Sequence, residues 1–141
     1  MVKALTLFVI VICLQSVALA APEKILHYEP EIAILEGTIE AHTFPGLPNF
    51  SSIKKGDEAE RGRYLRLREP VDVIASATDT DTNAETEKNV TLLHLTCDDK
   101  VWKKLTPGKQ VLLRGTLFHQ LTGHQHSRVL MTVLSVEEPK T

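Results

Sequence analysis

Three histidines, His119, His124 and His126, stand close together in the run His119-Gln-Leu-Thr-Gly-His124-Gln-His126. Residues two apart in extended backbone project to the same side, so His124 and His126 can present two imidazoles together. His119, across a hairpin, can supply a third. Three imidazoles suit zinc or copper. His42, Asp57, Glu58 and Glu60 are further potential oxygen and nitrogen donors from an earlier loop. The same residues equally suit a hairpin cap, a polar cluster paired to carboxylates, or a pH-sensitive ligand contact. The spacing matches no strong zinc signature.

A second candidate is the segment Phe44-Pro45-Gly46-Leu47-Pro48-Asn49-Phe50, followed by Gly56-Asp57-Glu58. Its prolines restrict φ and the residues before them, which stiffens the loop. It can hold Phe44, Pro45, Asn49 and Phe50 toward a protein or glycan partner, with Asp57 nearby, or turn both rings inward to plug one end of a barrel. Tyr64, Arg66 and Arg68 share one face of an alternating strand, which reads either as a binding surface or as a solvated face. Nucleophile elbows, phosphate-cradling glycine loops and HExxH helices are missing, which argues against an enzyme.

These residues need a scaffold, and the periodicity supplies five strands and one helix. Strands are expected near Glu31–Thr43, Arg63–Val73, Val90–Cys97, Gln110–Gln120 and Arg128–Val136. In the first, Ile32 and Ile34 occupy one phase and Ile39 and Ala41 the other, so Gly37 is expected to mark a bulge or sharp bend. Asp98 or Asp99 caps a short helix through about Leu105, which Pro107-Gly108 stops. The polar stretch 76–89 reads as a mobile, solvated loop. Strand, strand, strand, helix, strand, strand is the order of an OB-like barrel. In that mainly β, five-stranded architecture, ligands favour the face of strands two and three with the one–two and four–five loops.

Whole-chain figures narrow the classes. The chain has 141 residues, a formal charge of −2 and 5% aromatic residues, which suits one domain and gives no electrostatic footprint for nucleic acid. Lys3, the apolar run Ala4–Leu14 and Ala18-Leu19-Ala20 have the form of a cleavable export signal over residues 1–20. As a helix that run spans about 16 Å, short of the roughly 30 Å of a bilayer core. A single domain over residues 21–141, periplasmic or secreted and with no remaining membrane span, is the expectation. Cys13 leaves with the signal. Cys97 then stays alone, in phase with Leu93 and Leu95, as a small buried hydrophobe.

Two long motifs, Thr43-Phe44-Pro45-Gly46-Leu47-Pro48-Asn49-Phe50 with Gly56-Asp57-Glu58, and Gly115-Thr116-Leu117-Phe118-His119 with Thr122-Gly123-His124-Gln125-His126, resemble a bacterial family of small exported domains of unknown function. Its pattern is close to TFPGPPNYES, a GDE turn and GTLFHAHTGHHHT. The resemblance implies an exported protein of this architecture and carries no established activity. Gln125 replaces the central histidine of the family's triple. The cysteines that members often carry before the Tyr-Glu-Pro segment and after strand two are absent at Ile25-Leu26-His27 and Val71-Asp72-Val73. The function expected is a non-enzymatic envelope binding module, possible roles including an inhibitor or immunity-type protein; the alternative is a metal-binding protein using His119, His124 and His126.

Overall fold

The computed structural model describes residues 24–80 and 82–139, so the export signal expected over residues 1–20 lies outside the described residues. Six strands and two short helical turns follow in order. Strand β1 is Lys24–His27, β2 Ile32–Pro45, β3 Ala59–Ile74, β4 Glu87–Thr96, β5 Gln110–His119 and β6 Val129–Glu137, with a 3-10 turn at Ile53–Lys55 and helix α1 at Asp99–Trp102.

Five strands close on themselves. β2 pairs antiparallel with both β3 and β5, β5 pairs antiparallel with β6, β6 runs parallel to β4, and β4 pairs antiparallel with β3. This circuit, with one parallel step between the third and fifth barrel strands, is OB-like and leaves the barrel without an open edge. The short β1 was not anticipated. It adds outside the circuit, parallel to residues 71–74 of β3.

Alternation places one phase of each strand inside. Leu35, Ile39, Leu65, Leu93, Leu95, Leu113, Leu117 and Met131 form the centre of the core. The burial phase of β2 runs unbroken through Ala33, Leu35, Gly37 and Ile39, whereas Ile32 and Ile34 are exposed. The expected phase slip is therefore wrong: the isoleucines lie on the outer face. Gly37 is instead where β2 faces both of its neighbours, paired with Leu67 and with Val111. A Cβ there would meet the Arg66 carbonyl oxygen at 2.3 Å, so the close approach of two strands requires glycine. Register shifts fall elsewhere, between Arg114 and Gly115 of β5 and within β3–β4.

Helix α1 is shorter than expected. Asp98 caps it by accepting from Val101 N at 2.8 Å, and the chain turns on to Leu105, which is buried in the core. Cys97 packs partly buried against that core, and burial together with Asp98 and Asp99 pushes its thiol pKa up. A raised pKa suppresses the thiolate and with it nucleophilic reactivity.

The stretch expected as a solvated loop has more structure than its composition suggests. β4 begins already at Glu87, and Ala84 packs against the core. Thr80 donates to the Glu29 carbonyl from both N and Oγ1, at 3.1 and 3.2 Å, and the Glu85 carbonyl accepts from Tyr28 Oη at 2.6 Å. No helix among the described residues is long and apolar enough to cross a membrane.

Candidate ligand face

A second layer of rings lies on the outside of the barrel wall. Outward positions on β2, β3 and β4 are His42 and Phe44, Tyr64, and His94; Tyr64 is directly opposite His94 across the β3–β4 ladder. The Tyr64 and His94 rings stack with centroids 4.5 Å apart. Phe44 stacks on His126 at 4.6 Å, and His42 meets the Tyr64 ring edge-on at 5.1 Å. Leu130, beside His94 across the β4–β6 pair, is also buried without belonging to the barrel core. That explains why β6 is apolar in both phases near its start: one phase faces the barrel and the other supports this outer layer.

The two loops that flank the face are fastened to each other. Glu60, at the start of β3, accepts from His124 Nδ1 at 2.5 Å and His126 Nε2 at 2.7 Å through its two oxygens. Both hydrogen bonds, that of His126 foremost, hold the Glu60 carboxyl below its usual range. Phe50 meets the His124 ring edge-on at 5.2 Å. Phe44 and Phe50 thus neither plug the barrel nor stand free; they join the outer layer, and Phe50, His42 and His124 keep part of their surface in solvent.

Tyr64 lies at the bottom of this layer and is fully buried. Its hydroxyl is the one buried side-chain polar atom without a hydrogen-bond partner among the described residues. Burial, with the Glu60 charge adding to it, pushes the phenol pKa up to about 12, so the group stays a neutral donor. Gly62 makes the packing possible: a Cβ there would stand 2.9 Å from His94 Nε2 and 3.1 Å from the Tyr64 hydroxyl. His94 Nδ1 accepts from the His126 amide at 3.4 Å. That bond favours the neutral tautomer carrying its proton on Nε2. Burial first, and the neighbouring His126 second, lower the His94 pKa.

Several sequence-predicted residues have partners within the scaffold. Asp57 is 5% exposed and accepts from Asn49 N and Nδ2, Ser51 N and Oγ, and Ser52 N. The amides of Ser52, Ser51 and Asn49 stabilise its charge and hold its pKa well below the usual carboxylate range. Asp57 and Asn49 therefore organise the Pro45–Glu58 loop, Asp57 from a buried position and Asn49 from an exposed one. Arg66 is committed to Glu40, with Nε and NH2 donating at 3.1 and 3.2 Å to its two oxygens. Gln125, at the position of the resembled family's central histidine, accepts through Oε1 from the amides of Leu121 and Thr122. It shapes the β5–β6 loop from within.

The predicted trio His119, His124 and His126 is divided. His124 and His126 converge on Glu60, whereas His119, 7% exposed, binds Glu87 through Nε2 at 3.0 Å and meets Tyr28 edge-on. Its position at the end of β5, paired with Val129, turns it away from the loop that carries the other two. His94 and Gly62 escaped the sequence reading. The usable signal was an outward aromatic or imidazole at matching positions on three successive strands.

Closed circuit, outer ring layer and flanking loops define a small OB-like β-barrel whose outer wall over β3 and β4 is built from rings. Residues 92–137 match a domain of unknown function, DUF4431. The matched stretch takes in His94, His119, His124 and His126, together with β5, β6 and the loop between them. No curated protein matches the chain significantly.

Proposed function

We propose that this protein is an exported, non-enzymatic binding module that grips a protein or glycan partner of the cell envelope. The gripping surface is the rim of the outer layer: His42, Phe44, Phe50 and His124, between the Pro45–Glu58 and Gln120–Arg128 loops. One observation carries the reading. The outer wall of the barrel, on the face where OB-like barrels take ligands, carries a ring-lined layer flanked by two loops that Glu60 ties together. Aromatic and imidazole rings held in place offer contact area with little loss of conformational freedom on binding. The export signal read in residues 1–20 supports the envelope as the compartment.

The test is affinity capture from a periplasmic extract, together with a glycan array, using the mature chain and its Phe50→Ala and His42→Ala variants. A partner retained by the parent and lost with both variants, each still folded by circular dichroism, supports the proposal. Capture that is indifferent to both substitutions would place the contact surface elsewhere.

A further inference from the structure

We propose a second site, separate from the ring-lined face: a divalent zinc-class metal site formed by Glu85, Glu87 and His119. Among the described residues, these make the one set of three His, Cys, Asp or Glu side chains whose donor atoms all lie within 4.8 Å of one another. The fold brings them together from two directions. β5 ends on His119, and β4 begins on Glu87 with Glu85 just before it.

The donor chemistry narrows the ion. One imidazole nitrogen and two carboxylates form a three-residue zinc ligand set that leaves a fourth position for water. Tetrahedral bonds of about 2.0–2.2 Å place neighbouring ligand atoms about 3.4 Å apart. The His119 Nε2 to Glu87 Oε1 separation is already 3.0 Å, and Glu85 is exposed and can close on them. Magnesium and calcium prefer all-oxygen shells, which a buried imidazole does not complete.

Packing around the site restrains two of the three ligands. Tyr28, itself fully buried, packs its ring against His119 with planes 79° apart, and its hydroxyl donates to the Glu85 carbonyl. One buried phenol therefore fixes both the imidazole and the backbone that carries the first carboxylate. Arg128 NH1 lies 3.5 Å from Glu87 Oε1 on a side chain that is 70% exposed, a weakly held contact that a divalent ion displaces at little cost. His124 and His126 take no part. This separates the site from an imidazole trio and leaves the ligand-face reading independent of it.

The experiment is a zinc titration of the untagged mature chain after chelator treatment, followed by calorimetry and by thermal melting. One equivalent of zinc is expected, with a rise in Tm, and neither magnesium nor calcium reproduces it. Glu85→Gln, a change at an exposed side chain, weakens zinc at least tenfold while the metal-free Tm stays the same; Glu87→Gln weakens zinc as much but lowers the metal-free Tm, because it also removes the pairs to His119 and Arg128. Arg128→Gln strengthens it. A His124→Ala/His126→Ala double variant binds like the parent. Absence of zinc binding by the folded parent would overturn the proposal. Zinc binding that survives Glu85→Gln but not the double variant would also overturn the proposal.

Discussion

The imidazole of His94 lies nearly flat on the phenol of Tyr64, centroids 4.5 Å apart and planes 19° from parallel, on the outer wall of the barrel. A fully buried phenol and a half-buried imidazole thus pack against each other outside the core. Around it the chain assembles Phe44, His42 and His126, and over it two loops meet through Glu60.

Tyr64→Phe tests the unpartnered hydroxyl. A buried polar group without a partner costs about 1–3 kcal/mol, and removing it at constant shape recovers part of that. The variant is expected to be as stable as the parent or up to about 1 kcal/mol more stable. Urea unfolding monitored by Trp102 fluorescence measures it. A loss of more than about 1 kcal/mol would mean that the hydroxyl has a partner in solution.

Gly62→Ala tests the packing beneath that pair. The added methyl would stand 2.9 Å from both His94 Nε2 and Tyr64 Cε2, so both rings must shift. Overpacking of this kind costs about 1–3 kcal/mol. The same denaturation experiment reads the loss, and ring-current shifts of His94 in proton NMR should report the displacement. An unchanged stability would show that the outer layer is loosely packed.

Stability should fall on acidification in two stages. The folded-state pKa of His94 is lowered from 6.5 by burial and by His126, with only Glu60 opposing. The unfolded chain then binds the proton more readily, so the His94 contribution is present above about pH 6.5 and is lost as pH falls toward the folded pKa. The folded-state pKa values of Glu40 and Glu60 are also lowered, from 4.5. Their contribution is present above that value and is lost as the pH drops further. Thermal melts between pH 7.5 and 3.5 should show both steps, and His94→Asn should flatten the first alone. Equal pH dependence in parent and variant would assign the first step to another group.

Asp57→Asn is expected to loosen the Pro45–Glu58 loop, because the amide keeps one acceptor oxygen where the carboxylate offers two to five donors. Limited proteolysis should cut the variant within residues 46–58 well before the parent, and its Tm should be lower. Equal cleavage rates would contradict the role assigned to Asp57.

Strand periodicity, the capping Asp98 and the order of elements made the barrel legible in the sequence, since alternation depends only on which side of a closed sheet each residue faces. Ile32 and Ile34 misled because an apolar pair on an exposed face looks the same in sequence as one in a core. The short β1 was hidden because four residues carry too little pattern. The candidate site was half legible. His124 and Phe50 stood out by type and loop context, but a chain-local view cannot show that Glu60 binds both His124 and His126. Nor can it show that His119, only five positions before His124, faces Glu87. Strand register decides those pairings. Asp57 carries the same lesson, for a carboxylate in a turn reads as a ligand until its five internal donors are seen.

The central claim is that the rim of the ring-lined layer is where a partner binds. Site-specific photo-crosslinking in cells tests it most directly, with a photoreactive residue placed at Phe50 or His42 and, as controls, at the exposed Ile34 and Leu134. A discrete adduct is expected from Phe50 and His42 and from neither control. Adducts that form only at Ile34 or Leu134, or none at any position in cells that export the protein, would contradict it.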